Sequence, residues 1–463
     1  MSARSRAAAF LLATAVVTAI ASAAPAAEDA RLKGSARGAR NGWVTVRLQG
    51  TPSQIGFQHG TLLAPEVADA VAVTRLSLTH DGKRDWAFFR KAAETVFWPR
   101  VDAEYRQELQ GIVDGAAAAG AKVDLWDIVV LNASLEIGYY TATLDKDARS
   151  GAPDKCSAFV ATGRYTRDGR PVIAHNNWSG YLEGSRWNVI FDIRPAAGHR
   201  ILMDGMPGLI HSGDDFGINS AGLVITETTI TGFKGFDPAG IPEFARARKA
   251  MQYAATIDDF DRIMREGNNG GYANAWLVAD TNTGEIARLE LGLKNVTLER
   301  TRDGYFAGAN FPVSPKLAAE ETKFKLDDPS LSANARRVRA DEILKANEGR
   351  IDVALARRYL SDHYDSYEKK EDAPSERSLC GHVDLSPRGI GDWFAAWGPA
   401  GTVQAKVADA AMAKRMAFEA AMGHPCGQTY RGEPHLAKHP EHAWAKPLMR
   451  DLVASPWTLF EAP

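Results

Sequence analysis

The sequence predicts an α+β fold in which helices and strands come in separate blocks. Three observations support this: helical spacing of apolar residues before about residue 145, a change to strand-like segments at Cys156, and a return to blocks of helices and strands after residue 242. A parallel α/β fold would instead alternate strand and helix, so a layered α+β architecture is favoured. The 463 residues, 45% apolar and 24% charged, are enough for a large core.

The first residues have the pattern of an export signal. Arg4 and Arg6 precede an apolar run over residues 7–21, and small residues around Ala23 offer a cleavage site. The run is too short and alanine-rich for a membrane span, and an uncleaved anchor is the alternative. We therefore expect residues 1–23 to be a signal peptide and the protein to be periplasmic or secreted, with no integral membrane segment after its removal.

The N-terminal block is predicted to be mostly helical. A short alternating strand covers residues 42–48, Pro65 opens a helix, residues 86–119 have helical spacing, and Asp124 is a suitable cap for another helix. Residues 145–155 are polar, contain Gly and Pro, and predict an exposed loop.

The later elements follow from alternation, turn residues and helical periodicity. Strands are predicted at residues 156–162, 172–176, 187–193, 201–203, 209–212, 223–230, 275–280, 286–291, 296–299, 305–307 and 401–407. Helices are predicted at residues 242–253, 257–265, 333–346, 353–362 and 408–422.

Cys156 is the candidate nucleophile. An exported chain with three cysteines has an odd thiol, and a disulfide between Cys380 and Cys426 would leave Cys156 free. If the bond between Lys155 and Cys156 were cut, the thiol and a free α-amino group would belong to one residue. An α-amine with a pKa of roughly 7.7–8.0 suits the role of base near neutral pH. The alternative is that Cys156 is a small buried hydrophobic residue.

Two polar residues are candidate partners of this thiol. His175 ends the strand predicted to pair with the one that begins at Cys156, so it can approach the thiol. The alternative is that it is a hydrogen-bonded structural group. Asn274 lies where a loop becomes a strand, and it can either donate to an oxyanion or close a turn.

Metal and cofactor sites are not predicted. Asp214 and Asp215 lie in a glycine-flanked turn without further ligands at a suitable spacing. The C-terminal histidines match no zinc pattern, and P-loop and dinucleotide fingerprints are absent from the sequence; these histidines are His424, His435, His439 and His442. We expect no cofactor, and the net charge of -2 argues against nucleic acid as a partner.

The chain resembles the phospholipase B-like proteins and, more remotely, bile salt hydrolases and penicillin acyltransferases. The resemblance rests on the sequences Cys-Ser-Ala at 156–158, His-Asn-Asn-Trp-Ser-Gly-Tyr at 175–181, and the block at 207–229, and it continues weakly through residues 274–276, 310–312 and 332–339. It implies a four-layer αββα sandwich of the N-terminal-nucleophile hydrolase type. Self-cleavage would give a mostly helical fragment, 24–155, and a catalytic fragment, 156–463, that together form one compact domain.

The resemblance also implies roles for residues. Cys156 matches the nucleophile, His175 the residue beside it, and Asn274 the oxyanion-hole asparagine. Arg336 matches an active-site arginine of the bile salt hydrolases. The substrate pocket is expected to include Trp178, Thr229 and Asp215.

The predicted function is an exported, self-processing cysteine hydrolase acting on an acylated small molecule or lipid. A non-catalytic periplasmic lipid- or peptide-binding protein and an acyltransferase are the alternatives. The sequence leaves the acyl chain, the leaving group and the oligomeric state open.

Overall fold

A computed structural model describes residues 29–145, 156–213, 216–391 and 393–462. Its described strands form two sheets. The strands are β1 (Ala36–Arg40), β2 (Trp43–Gly50), β3 (Cys156–Thr162), β4 (Val172–Gly180), β5 (Val189–Pro195), β6 (Ile201–Gly205), β7 (Gly217–Asn219), β8 (Leu223–Thr229), β9 (Asn274–Asp280), β10 (Glu285–Leu291), β11 (Val296–Thr301), β12 (Gly304–Gly308), β13 (Ala400–Asp409), β14 (Ala417–Met422) and β15 (Thr458–Glu461). The nine-stranded sheet has the order β1-β2-β5-β6-β7-β8-β9-β10-β11, and the six-stranded sheet has the order β12-β3-β4-β13-β14-β15.

The α-helices flank these sheets. They are α1 (Pro52–Leu62), α2 (Ala64–Gly82), α3 (Trp86–Ala92), α4 (Ala103–Ala118), α5 (Leu125–Asn132), α6 (Ile137–Leu144), α7 (Tyr181–Gly184), α8 (Glu243–Tyr253), α9 (Ile257–Arg265), α10 (Pro315–Glu321), α11 (Ser332–Ala346), α12 (Val353–Leu360), α13 (Ala410–Lys414) and α14 (Gly432–Lys438). No described helix combines the length and apolar character needed to cross a membrane.

The core has four layers, which confirms the expected αββα sandwich. On β9, Trp276 and Val278 pack with the apolar residues of α1–α5, α8 and α9, while Leu277 and Ala279 pack against the second sheet. This alternation follows from the two-residue period of a strand, because both faces of a central strand are covered. Helices α11 and α12 cover the outer face of the six-stranded sheet.

Helices α1 and α4 approach each other through glycines. A Cβ atom at Gly115 would lie 2.1 Å from the carbonyl oxygen of Phe57, and one at Gly60 would lie 2.0 Å from that of Ile112. Backbone therefore meets backbone, and no larger residue fits without moving the helices.

The strand predicted at residues 209–212 is wrong. Its backbone is held by side chains of the helical layer instead of a neighbouring strand. The N–H of Gly208 donates to Nε2 of His59 at 2.8 Å, and the N–H of Ile210 donates to Oδ1 of Asn132 at 2.9 Å. The apolar residues Leu209 and Ile210 are buried in the helical layer, so their sequence pattern was mistaken for a strand.

The helix predicted at residues 408–422 is also wrong, since it ends after one short helix, α13. Met416 has a φ of +52° and reverses the chain. The following residues form β14, where Ala421 pairs with Ala405 and Phe418 pairs with Phe460 of β15. Sheet pairing and burial override the helical preference of alanine in this segment. The predicted signal peptide, Lys155 and Asp215 lie outside the described residues.

Candidate active site

Both backbone polar groups of Cys156, the first residue of β3, are held by side chains. Its N–H donates to Oδ1 of Asn310 at 3.0 Å, and its carbonyl oxygen accepts from a terminal guanidinium nitrogen of Arg336 at 2.6 Å. Cys156 is 1% exposed. Two side chains therefore fix the residue on each side of its Cα atom.

The thiol of Cys156 lies in a cluster with His175 and Glu227. Ligand atoms of the three side chains lie within 4.8 Å of one another, and all three residues are buried. The sulfur is 4.0 Å from Oε1 of Glu227. The antiparallel pairing of β3 and β4 places His175 opposite Ala158, which shares a strand face with Cys156. Cys156 and His175 therefore lie close together, as the predicted strand pairing requires.

The carboxylate of Glu227 is fixed by a hydrogen-bonded chain. The hydroxyl of Tyr272 donates to its Oε1 at 2.9 Å and accepts from Oγ1 of Thr229 at 3.2 Å. Burial, and secondly the charge of Glu227, raise the pKa of Tyr139 well above its ordinary value. Thr229, predicted to line the pocket, is fully buried, and its hydroxyl belongs to this row of hydrogen bonds.

Arg336, on α11, joins several parts of the site. Besides the carbonyl of Cys156, it donates to Oδ1 of Asn310 at 3.0 Å and, through Nε, to Oγ of Ser332 at 3.1 Å. Its guanidinium carbon lies 4.3 Å from the ring centroid of Trp178. Trp178, the second residue expected in the pocket, is therefore packed behind the arginine and is 1% exposed.

Asn274 lies on the strand next to Glu227 and Thr229. It opens β9 opposite Thr229, whose carbonyl accepts from Nδ2 of Asn310 at 2.9 Å. Its side chain is buried, and neither amide atom has a hydrogen-bond partner among the described residues. A buried amide without a partner is costly, which is typical of a group that meets a ligand.

Sequence reasoning gave no role to Glu227, Tyr272 and Asn310. A carboxylate inside a strand of otherwise uncharged residues was a usable signal for Glu227, because such a group is rarely buried without a partner. Asn310 and Tyr272 have φ values of +68° and +51°, which places them at chain reversals that the sequence does not reveal.

Cys380 and Cys426 are free thiols in the structure, and the disulfide between them remains a prediction. Their sulfurs belong to a second cluster, with His363 and His382, in which all four ligand atoms lie within 4.8 Å of one another.

A cavity of about 520 Å³ lies along the edge strand β12. It is lined by Arg288, Tyr305, Phe306, Phe311, Arg337 and Lys345, together with Asp341 and Glu342. Phe311 follows Asn310 in the chain, and Phe306 pairs with Val160 of β3. The cavity thus adjoins the strand that begins at Cys156.

Comparisons with known proteins found relatives that match parts of this chain. The acyl-coenzyme A:6-aminopenicillanic-acid-acyltransferase 40 kDa form of Emericella nidulans is 26% identical over 50% of this chain and 59% of its own length. The putative phospholipase B-like 2 of Rattus norvegicus is 32% identical over 27% of this chain and 24% of its own. The matched stretches thus span roughly a quarter to three fifths of these relatives. The crystal structure of a mutant conjugated bile acid hydrolase from Clostridium perfringens matches 66% of this chain and 97% of its own, with a TM-score of 0.32. The two sequences are 11% identical.

The sequence profile described as Phospholipase B matches residues 81–454, which include Cys156, His175, Glu227, Asn274 and Arg336. The match covers most of the chain. The chain therefore belongs to the phospholipase B family.

Proposed function

We propose that this protein is an exported cysteine hydrolase that cuts its own chain before Cys156 and then hydrolyses an amide or ester bond of an acylated small molecule or lipid. The cluster of the Cys156 thiol with His175 and Glu227, at the first residue of a strand whose backbone is clamped, carries the proposal. A nucleophile, a nearby proton acceptor and fixed geometry are the elements of covalent acyl transfer.

The first reaction is an N-to-S acyl shift. The thiol proton passes to Glu227 or His175, and the sulfur attacks the carbonyl carbon of Lys155. The bond from that carbon to the Cys156 nitrogen breaks, the nitrogen takes up a proton, and a thioester remains. Water hydrolyses the thioester and leaves a carboxylate on residue 155 and an α-amine on Cys156.

The second reaction is turnover on an external acyl group. The thiolate attacks the substrate carbonyl, and the amide N–H groups of Asn274 stabilise the oxyanion. The α-amine takes the thiol proton and returns it to the leaving amine or alcohol, after which water releases the acyl group. Asn310 accepts from the Cys156 nitrogen at 3.0 Å and holds it in place. The nearby charge of Arg336 favours the neutral amine, because like charges repel.

The cavity along β12 supports an amphiphilic anionic substrate. Phe306 and Phe311 offer an apolar wall, and Arg337, whose guanidinium carbon lies 5.6 Å from the ring centroid of Phe311, offers positive charge beside it. We expect Arg337→Glu to raise KM for an anionic acyl substrate severalfold and to leave self-cleavage unchanged, since Arg337 does not contact Cys156. An unchanged KM would show that the substrate does not bind in this cavity.

Intact mass and N-terminal sequencing of the purified protein test self-cleavage. The wild type is expected to yield a fragment that begins at Cys156, whereas Cys156→Ala stays joined at that bond. Cys156→Ser, which keeps a weaker nucleophile, is expected to cut slowly. If the wild type and Cys156→Ala both remain uncut at residue 156, the proposal fails.

Product analysis separates hydrolysis from its two rivals. Processed protein with N-acyl amino acids and lysophospholipids as substrates is expected to release a free fatty acid. An acyltransferase, the activity in the name of the Emericella nidulans relative, would give the acylated amine when an amine is added. A binding protein would retain the substrate unchanged and would have no need of the cut.

A further inference from the structure

Four metal-ligating side chains meet behind the active site, in segments that the proposed reaction does not use. They are His363, Cys380, His382 and Cys426, and one ligand atom from each lies within 4.8 Å of all the others. His363 follows α12, Cys380 and His382 lie in the loop before β13, and Cys426 follows β14. Three separate segments of chain therefore converge on one point.

Two distances between these ligand atoms match the edges of a tetrahedron around a zinc ion. Nε2 of His382 lies 3.3 Å from Nε2 of His363 and 3.6 Å from Sγ of Cys426. With Zn–N near 2.0–2.1 Å and Zn–S near 2.3 Å, tetrahedral zinc separates two nitrogens by about 3.3 Å and a nitrogen from a sulfur by about 3.6 Å. The side chains are thus spaced as ligands of one ion would be.

The outer contact of His363 has the arrangement expected around a metal-bound histidine. Nδ1 of His363 faces Oδ1 of Asp372 at 3.2 Å, so the ring can donate to the carboxylate while Nε2 points into the cluster. Such a hydrogen bond fixes the tautomer and the orientation of a ligand histidine.

The neighbouring set of His382, Asp384 and His424 does not form a competing site. The rings of His382 and His424 are stacked at 3.9 Å with an angle of 11° between them, so their in-plane lone pairs run side by side. Nε2 of His424 and Oδ1 of Asp384 are both bonded to the hydroxyl of Tyr181, at 2.9 and 2.8 Å.

We propose that His363, Cys380, His382 and Cys426 bind one Zn²⁺ ion in a closed, structural Cys₂His₂ site. Four protein ligands leave no open position for a reacting water, which distinguishes a structural site from a catalytic one. Binding deprotonates both thiols and releases their protons.

The site is placed to brace the catalytic residues. Gly381 lies between two of the ligands with a φ of +67°, and a Cβ atom there would lie 2.1 Å from Cε2 of Trp178. Trp178 in turn packs against Arg336, which holds the carbonyl of Cys156. An ion at this point would fix the loop that supports the arginine.

Metal analysis of the whole chain, purified with its thiols reduced and then given zinc, tests the proposal. We expect one zinc per chain in the wild type and in Cys156→Ser, which removes the only other thiol. Replacement by cobalt should give the intense visible bands and thiolate charge transfer of a tetrahedral site. His363→Gln and Cys426→Ser should lose the bands.

Asp372→Asn gives a matched variant, since its side chain is 90% exposed and asparagine tolerates the φ of +45° at this position. Its zinc affinity should fall about 10- to 100-fold while its circular dichroism remains that of the wild type. If Asp372→Asn and the wild type bind zinc with equal affinity, this carboxylate does not support the site. Failure of reduced wild type to bind more zinc than Cys426→Ser, an octahedral cobalt spectrum, or a Cys380–Cys426 disulfide in the protein isolated without reductant would overturn the proposal.

Discussion

At the scale of single residues, the proposed self-cleavage needs a base beside the Cys156 thiol, and Glu227 is one of the two candidates in its cluster. We expect Glu227→Gln to slow self-cleavage by roughly 10²- to 10⁴-fold, because the amide keeps the shape of the side chain but accepts a proton poorly. A time course of fragment formation on denaturing gels measures the rate. Tyr272→Phe removes one hydrogen bond to Glu227 and should slow the cut less. Wild-type kinetics in Glu227→Gln would assign the proton to His175.

His59 gives the protein a predictable loss of stability in acid. Burial lowers its pKa to about 3, from an ordinary value near 6.5. Between these values the unfolded chain binds a proton that the folded chain does not, so stability falls as the pH drops from 7 toward 3. At pH 5 the loss from this residue is about 2 kcal/mol.

Denaturant unfolding at pH 7 and pH 5 measures this effect in Cys156→Ala, which stays one chain, against the same chain with His59→Gln, which keeps an acceptor for the N–H of Gly208 but does not titrate. The drop in unfolding free energy should be smaller in the variant by about 2 kcal/mol. An equal drop in both proteins would show that His59 plays no part.

At the scale of elements, the contact between α1 and α4 depends on glycine. We expect Gly115→Ala to lower the free energy of unfolding by roughly 1–3 kcal/mol, because the new Cβ meets the Phe57 carbonyl. Gly138→Ala is the control, since a Cβ there has no neighbour within 4 Å and lies inside α6. That change should stabilise by roughly 0.5–1 kcal/mol. Thermal melts of both variants, made in the uncut Cys156→Ala chain, check the opposite signs.

The sequence predicted helices and strands well where a cap or a residue pattern lies within the element itself. The side chain of Asp124 accepts from the N–H groups of Trp126 and Asp127 as a cap should, and α9 begins and ends at the predicted residues. The strand at Cys156 and its pairing with the strand of His175 were also predictable. These signals are contained within a few residues, so no knowledge of the rest of the chain is needed.

Features that depend on distant residues were not predictable. Glu227 reaches Cys156 only because two sheets pack face to face, and His363 meets Cys426 only because three loops converge. His363 and His382 do not lie at a zinc-ligand spacing along the chain, so spacing alone does not indicate them. Spacing identifies a metal site only when its ligands lie on one local motif.

At the scale of the whole molecule, residues 29–145, which precede Cys156, are built into the fold. They supply β1, β2 and the helices α1–α6, and β2 pairs in parallel with β5, which lies after the proposed cleavage site. Arg248 and Glu108, both almost fully buried, form an ion pair at 3.1 Å between the two parts. Separating the two parts would break this ion pair and expose the apolar core that they share to water, at a cost that grows with the apolar area exposed.

We therefore expect the two fragments to remain associated after the cut. They should co-elute in native size-exclusion chromatography at the size of the uncut chain and separate only under denaturing conditions. Release of the smaller fragment in native buffer would contradict the shared core.

Because β2 pairs with β5 across the proposed cleavage site, a cut there would make unfolding of the protein irreversible. In an intact chain, β2 and β5 belong to one molecule, so they pair at a rate that does not depend on protein concentration. Once the chain is cut, the same pair forms only when two molecules meet, so diluted fragments lose their route back to the native state. The protein would thus fold as one chain and persist as two, with a lifetime set by how slowly it first opens.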